Sequence, residues 1–380
     1  MIVIHYGEIF TKGRNRPMFQ NQLRRNLQSA VPDARIRLDA HRFLMEVPGG
    51  PDAEKAALQA VGKVFGVASF ARAHESLGSE VDDIIPAAMD ALAGLGGPFK
   101  VEVSRSDKTH GLNSIQIAQQ LASALEKKGV TMGVKGAKNV LNVEVLKDKA
   151  ILYADKKTGL GGLPVGCTGT VVTLLSGGID SPAASWLLAK RGVRNVFLHF
   201  HPFKDQDDAV RRSEKIQNLV RQLRPYTQSG TLYLVPYNYF VLDALHVPER
   251  YALPLFRRFM LHVAEEVAKK EGAEALGTGD NLAQVSSQTL SNLGSIGSAA
   301  RLPVLRPLLT YDKKEIIALA EKIGTYAISN QPYVDCCQSL VAKNPATTSK
   351  TEDLERLEAR LSADLVAKTF ADSVPIQVPA

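Results

Sequence analysis

The chain has 380 residues, 45% of them apolar and 22% charged, and carries a net charge of +7. That length predicts two or three folding units, and the apolar share suits packed globular domains rather than a disordered or fibrous chain. No apolar run is long enough to cross a bilayer, and the opening MIVIHYGEIF lacks the basic and small-residue signals of a secretory leader, so a cytoplasmic protein with no membrane partner is expected.

In chain order, the first ~50 residues alternate as strand, helix and strands: MIVIHYGEI, PMFQNQLRRNLQSAV, then ARIRLDA and RFLMEVP. A second small α+β unit follows. Helical DAEKAALQAVGKV leads to VASFARAHE, helical DDIIPAAMDALAGL to strand FKVEVSR, and helix SIQIAQQLASALEKKG to strands LNVEVLKD and AILYADKKT, with Lys147–Asp148 turning between the last two. The Gly-rich TGLGGLPVGCTG at 158–169 reads as a linker.

Beyond it, strands and helices alternate. TVVTLL precedes PAASWLLAKRG, VRNVFLHF precedes AVRRSEKIQNLVRQL, TLYLVPY precedes PLFRRFMLHVAEEVAKKEG, and AEALGTG is the next strand. This rhythm predicts a parallel sheet covered on both faces, with its ligand at the C-terminal strand ends. After Pro345 the tail is polar, then helical over TEDLERLEARLSADLVAKTF.

Charge is uneven along this plan: residues 1–168 hold 22 Lys/Arg against 17 Asp/Glu, and residues 169–380 hold 24 against 22. A basic first half is compatible with a polyanionic partner, and equally with solubility alone. The three cysteines, Cys167, Cys336 and Cys337, are too few for a disulfide framework and include no C-x-x-C pair, so no stably bound metal or cluster is expected.

The stretch LLSGGIDSP at 174–182 joins a β-branched strand to an apolar helix. Glycines there let backbone N–H groups approach an anion at a helix N-terminus, and the helix dipole favours negative charge. Ser176, Ser181 and the amides of Gly177 and Gly178 are candidate phosphate donors, and Asp180 could hold a phosphate-bridging Mg²⁺. No G-x-x-x-x-G-K-[ST] occurs, so adenylation with release of pyrophosphate fits better than γ-phosphoryl transfer. Taken alone, a strand–turn–helix corner with capping serines accounts for the same residues.

SGGxDS resembles the PP-loop of ATP pyrophosphatases. HYGEIFTKGRNRPMF, LLSGGIDSPAASWLLAKRG, FRRFM, GTGDNLAQVSSQTLSNL, VLRPLLTYDKKEI and PYVDCC, in that order, resemble tRNA 4-thiouridine synthetase, a family also called tRNA sulfurtransferase that serves thiamine biosynthesis in some bacteria. The likeness covers about residues 1–350. It implies an α/β chain with an N-terminal ferredoxin-like unit (1–55), a THUMP RNA-binding domain (56–165), a PP-loop ATP pyrophosphatase domain with a parallel sheet (166–350) and a helical tail (351–380).

By that resemblance Arg14, Arg16, Arg24, Arg25, Arg105 and Lys108 face tRNA phosphate, through sequence-independent and salt-sensitive contacts. For each arginine alone, a solvated surface charge is the competing reading. ATP would sit against Leu174, Leu175, His199 and Phe200, with Arg257, Gly279 and Gln288 completing the site. The chain departs from the family's T-G-E-S-L-G-Q at Thr278–Gln284, with Asp280 for Glu and Ala283 for Gly. The second change matters only if that residue needs a positive φ. The segment HFHPFKDQDD is also more acidic than its usual counterpart.

For Cys336 and Cys337, buried unreactive thiols compete with a persulfide carrier that delivers sulfur to an activated carbon. The resemblance implies the second and leaves open which of the two carries the persulfide; Cys337 is preferred, with Cys336 assisting or resolving. Many relatives add a rhodanese domain. This chain ends at 380 without one, so the sulfur would come directly from a cysteine desulfurase or another donor, with an external reductant for turnover. The implied reaction is adenylation of uridine (position eight of tRNA) by ATP–Mg²⁺, then sulfur attack at C4 with loss of AMP. Other implied partners are a thiamine sulfur-carrier protein and a second copy of the chain. Another PP-loop tRNA-modifying enzyme and a non-catalytic tRNA-binding protein are the competing functions.

Overall fold

The alternation of IVIHY places Ile2 and Ile4 on one face of strand β1 (Ile2–Tyr6) and Val3 on the other, and all three are fully buried. The computed structural model describes residues 1–106, 111–133, 139–203, 205–333 and 345–379, which divide into two units, Met1–Gly162 and Leu163–Ala380.

In the first unit, β1, α1 (Arg16–Ala30), β2 (Arg35–Asp39), β3 (Arg42–Glu46), α2 (Gly50–Val61) and β4 (Val67–Arg72) follow the ferredoxin-like βαββαβ order. Their antiparallel sheet runs β2-β3-β1-β4 and ends on the short β9 (Lys157–Thr158). A second sheet, built from β5 (His74–Glu75), β6 (Phe99–Arg105), β7 (Asn139–Val145) and β8 (Ala150–Tyr153), runs β5-β8-β7-β6. It carries α3 (Val81–Leu92) and α4 (Ser114–Lys127), whose Ile84, Ala88, Ile117, Leu121 and Leu125 fill one core with Leu141, Val143 and Leu152. Val3, Leu44 and Ala71 of the first sheet pack with Ile151 and Tyr153 of the second. Beside that contact, buried Glu144 accepts from Tyr153 Oη at 2.6 Å, lies 2.7 Å from His5 Nε2, and pairs with Arg42 at 2.8 Å.

The second unit is a six-stranded sheet of order β14-β13-β10-β11-β12-β15. Strands β10 (Thr170–Leu174), β11 (Arg194–His201), β12 (Thr231–Pro236), β13 (Ala275–Gly277) and β14 (Val304–Leu305) are parallel. Helices α5 (Asp180–Lys190), α6 (Gln206–Arg212), α7 (Glu214–Thr227), α8 (Asn238–Asp243), α9 (Glu249–Glu271), α10 (Leu290–Gly297), α11 (Lys313–Lys322) and α12 (Tyr326–Ser329) connect and cover them. The chain moves outward from β10 to β11 and β12, then crosses back to β13 on the other side of β10. The C-terminal ends of β10 and β13 therefore flank a topological switch point, where connections diverge and leave a crevice.

The ferredoxin-like unit, THUMP-like unit and parallel sheet agree with the fold class expected from the sequence. Two local features differ. Helix α9 starts at Glu249, ahead of Pro254, although a proline usually opens rather than interrupts a helix. The carbonyl of Arg250, four residues earlier, instead accepts the N–H of Ala346 at 3.0 Å, which removes much of the cost. The tail contains helices Thr351–Glu358 and Leu365–Ala371 but ends in strand β15 (Val374–Gln377), antiparallel to β12. Four residues including a proline give almost no strand signal, and Pro375 is tolerated because β15 is an edge. Among the described residues, no helix is long and apolar enough to cross a membrane.

Candidate active site

The loop after β10 is held by its serines. Ser181 Oγ accepts the N–H of Ser176 at 2.8 Å and lies 3.1 Å from Ser176 Oγ, which accepts the N–H of Gly178 at 3.3 Å. Ser185 Oγ in turn donates to the carbonyl of Ser181 at 2.8 Å. The serines thus fix the curvature of a loop whose glycines carry no side chain to obstruct it. The loop after β13 meets this one backbone to backbone: a Cβ on Gly279 would lie 2.7 Å from the N of Ser181 and 2.9 Å from its Cα. Only glycine permits that approach.

A cavity of about 150 Å³ opens at this junction, lined by Leu174, Leu175, Ser176, Asp180, Ser181, His199, Phe200, Arg257, Gly279 and Gln288, all expected from the sequence, together with Leu198, Met260, Thr278 and Asp280. Gly177 and Gly178 do not line it. Gly177 sits beneath Tyr333, where an added Cβ would lie 3.0 Å from the ring, and the carbonyl of Gly178 accepts from Ser329 Oγ at 3.2 Å.

The charges around the cavity are paired in a defined way. Buried Asp280 takes both Arg257 and Arg306, the latter at 3.2 Å, and also accepts from Thr278 Oγ1 at 2.8 Å. Burial pushes the Asp280 carboxyl up, but the two guanidiniums and the Thr278 hydroxyl outweigh it and hold the group below the usual carboxylate range. Arg257 and Arg306 bring two guanidiniums to this side of the cavity, groups suited to a phosphate chain. Gln288 is 8% exposed and its Oε1 is buried without a hydrogen-bond partner among the described residues.

Asp180, at the first turn of α5, accepts from Gln284 Nε2 at 3.0 Å and pairs with Lys313 at 2.9 Å. Among the described residues no group of three or more His, Cys, Asp or Glu side chains could hold a metal. One carboxylate is nevertheless what a Mg²⁺ bound mainly through phosphate oxygens needs from a protein. Asp180 fits that requirement.

His199 lines the cavity but directs its ring elsewhere. Its Nδ1 donates to the carbonyl of Leu175 at 2.8 Å, and its Nε2 lies 2.7 Å from the Tyr333 hydroxyl. Lys215, 8% exposed, donates to the carbonyls of Ser329 and Gln331 at 2.8 and 2.6 Å and lies over the Tyr333 ring. Residues 329–333 are thereby strapped across the glycine loop. Sequence reasoning had not singled out Lys215, Lys313, Tyr333 or Gln284. Lys313 and Tyr333 do stand inside the motifs TYDKKEI and PYVDCC, which was the available signal.

Cys336, Cys337 and Lys108 lie outside the described residues. Of the arginines expected to face RNA, Arg14, Arg24 and Arg25 are exposed. Arg16 donates to the carbonyl of Phe10 at 2.9 Å, and Arg105 donates to that of Leu112 at 2.5 Å, so both also serve local structure.

Comparison with known proteins is consistent along the whole chain. The family model described as thiamine biosynthesis protein (ThiI) matches residues 166–363, the ThiI ferredoxin-like domain residues 1–71, and the THUMP domain residues 79–155. A probable tRNA sulfurtransferase of Caldanaerobacter subterraneus subsp. tengcongensis is 37% identical over 379 residues, covering 98% of each chain. One of Thermus thermophilus is 39% identical over 375 residues, covering 96% of this chain and 90% of the relative. Among solved structures, a 4-thiouridine synthetase–RNA complex with bound ATP superposes with a TM-score of 0.88 at 33% identity, covering 100% of this chain and 99% of the other. PH1313 from Pyrococcus horikoshii shares the fold, with a TM-score of 0.66 at 22% identity over 85% of this chain and 99% of the other.

Proposed function

The chain belongs to the thiamine biosynthesis protein (ThiI) family, and we propose that it is an ATP-dependent tRNA sulfurtransferase that converts uridine, at position eight of tRNA, to 4-thiouridine. The observation that carries this reading is the cavity at the β10/β13 switch point, whose lining gathers the serines, Asp180, Arg257, Gly279 and Gln288 around one space. The likeness to a 4-thiouridine synthetase complexed with RNA and ATP supports both substrates.

ATP binds with its phosphates over the Ser176–Ser181 loop and the α5 N-terminus, where N–H groups and the helix dipole meet negative charge. Leu174, Leu175 and Phe200 supply apolar surface, and Gln288 lines the same space. Asp180 would hold the Mg²⁺, which neutralises phosphate charge when bound. The guanidiniums of Arg257 and Arg306 stabilise charge developing on the phosphates.

O4 of the uracil attacks the α-phosphorus, the bond to the bridging oxygen breaks, and pyrophosphate leaves. Activation is needed because a uracil carbonyl oxygen is a poor leaving group and AMP a good one. The terminal sulfur of a cysteine persulfide then attacks C4, and the C4–O4 bond breaks as AMP departs. The second thiol attacks the inner sulfur, releasing 4-thiouridine and leaving a disulfide for an external dithiol to reduce. Cys337 is the proposed carrier and Cys336 the resolving thiol. Both follow Tyr333 closely in sequence, and Tyr333 packs on the glycine loop. The donor is a cysteine desulfurase, and the same persulfide could charge a small carrier protein for thiazole synthesis, as the family's name suggests.

Nucleoside mass spectrometry of unmodified tRNA incubated with the protein, ATP–Mg²⁺, a cysteine desulfurase, cysteine and a dithiol tests the reading. 4-Thiouridine is expected, and none without ATP. Undiminished product from a Cys336→Ala, Cys337→Ala double variant would falsify the persulfide step.

A further inference from the structure

Helix α10 carries a buried asparagine whose side chain reaches outside its own helix. Asn292 is 0% exposed, and its Nδ2 donates to two backbone carbonyls, that of Ser286 at 2.7 Å and that of Ala346 at 2.9 Å. Its Oδ1 accepts from Ser349 Oγ at 2.6 Å. A carbonyl can only accept, so the amide nitrogen must face the two carbonyls, and the side chain has one allowed orientation. Short polar side chains in the first turn of a helix usually cap that turn. Here Thr289 is the cap, and Asn292 instead joins residues 6, 54 and 57 positions away.

Both ends of this link bear on the proposed reaction. Ser286 opens the turn Ser286–Gln288, from which Gln288 lines the nucleotide cavity and Ser287 Oγ meets Arg257 at 3.4 Å. Ala346 and Ser349 follow the two cysteines along the chain, as Tyr333 precedes them.

Further contacts hold residues 346–349 on the same helix. Thr289 Oγ1 donates to the carbonyl of Thr347 at 2.7 Å, and Ser291 Oγ donates to that of Ser349 at 3.0 Å. Ser295 Oγ lies 2.6 Å from Ser349 Oγ. The N–H of Ala346 goes to the carbonyl of Arg250 on α9 at 3.0 Å. Asn292 is the member of this clamp that also grips the cavity side, through Ser286. Moving either segment would leave a buried carbonyl without its donor, so the amide ties the two positions together. The chain that bears the cysteines is thus fixed on both flanks, by the Tyr333 strap before them and by the Asn292 clamp after them.

We propose that Asn292 is a positioning residue for sulfur transfer, setting the chain that follows the cysteines against the Ser286–Gln288 turn of the nucleotide cavity. The inference rests on the reading that Cys336 and Cys337 deliver sulfur to an RNA carbon activated by ATP. Asn292 does not itself line the cavity and acts through the backbone on either side.

Two variants of the full-length protein separate this role from folding. Asn292→Asp keeps the size of the side chain and the oxygen that takes the Ser349 hydroxyl, but turns an acceptor toward two carbonyls. Ser349→Ala is the milder change, removing the hydroxyl and leaving the amide in place. Each protein is given unmodified tRNA transcript, ATP–Mg²⁺, a cysteine desulfurase, cysteine and a dithiol, and both pyrophosphate and 4-thiouridine are measured in a single turnover. The 4-thiouridine formed per pyrophosphate released is expected to drop about tenfold in Asn292→Asp and about threefold in Ser349→Ala. A merely structural role lowers both products together through the folded fraction, so a wild-type ratio overturns the proposal. If Asn292→Asp does not fold, the ratio in Ser349→Ala decides alone. If wild-type protein makes no 4-thiouridine, the sulfurtransferase reading itself fails, and iodoacetamide labelling without RNA then decides the inference. The combined labelling rate of Cys336 and Cys337, taken against Cys167 in the same molecule, is expected to change severalfold in the variants. An unchanged rate there overturns it.

Discussion

The Tyr333 hydroxyl lies 2.7 Å from Nε2 of His199, whose Nδ1 meets the carbonyl of Leu175 at 2.8 Å. Because a carbonyl can only accept, Nδ1 must carry the proton it gives to Leu175. His199 therefore acts as a strut between the end of β10 and the strap that leads toward Cys336 and Cys337.

Tyr333→Phe removes the hydroxyl that meets His199 Nε2, a loss of about 0.5–1.5 kcal/mol in the arrangement of the strap. Sulfur transfer is expected to fall by up to about tenfold, with ATP-dependent pyrophosphate release much less affected. Equal loss in both assays would place Tyr333 in nucleotide binding instead. Lys215→Met should follow the same pattern, since its ammonium holds the carbonyls of Ser329 and Gln331.

Gly279→Ala forces a methyl group to 2.7 Å from the backbone of Ser181, and neither loop has a flexible side chain that could yield. The glycine loop must move, so ATP affinity is expected to drop by about tenfold or more. Calorimetric titration with ATP measures this, and tRNA binding serves as the control that should stay constant.

Lys313→Ala leaves Asp180 with Gln284 as its remaining described partner and removes a positive charge from the phosphate end of the cavity. Lys313 is 48% exposed, so screening moderates the effect to about tenfold in pyrophosphate release. Lys313→Arg should recover part of it. Wild-type rates in the alanine variant would remove Lys313 from the site.

Ala283 adopts φ +61°, in the left-handed region, where the family usually has glycine. A Cβ there costs about 1–2 kcal/mol. Ala283→Gly is expected to stabilise the second unit by somewhat less than that, because glycine also gains freedom when unfolded. Thermal melting should show a small rise, and a fall would mean that the alanine methyl contributes packing.

Glu144 predicts an acid-dependent stability. Burial alone would raise its pKa, but His5, Arg42 and Tyr153 outweigh it and bring the carboxyl down to about 2 from 4.5. A carboxylate with a lowered folded-state pKa contributes stability that is complete above about pH 5 and is lost as pH falls toward 2. The difference corresponds to about 3 kcal/mol. Glu144→Gln should therefore destabilise the first unit at pH 7, and its gap from wild type should close between about pH 5 and pH 2. A gap independent of pH would assign the loss to packing.

Much of the architecture was readable in the chain itself. Short apolar runs over 2–4 and 150–153, helical spacing over 114–127, and the strand–helix rhythm after residue 169 gave the unit types and their order. Those patterns are local, each set by the element that buries it. The glycine loop and most of the cavity lining were legible for a related reason: SGGIDS and TGD are short segments whose residue types are dictated by close backbone approach. What only the tertiary structure decided was pairing across long sequence separations. Asp280 joins Arg257 to Arg306, Lys313 reaches Asp180 from more than a hundred residues away, and Tyr333 meets His199. Nothing in local composition marks such partners, because a charge or hydroxyl on one element has no period tying it to another.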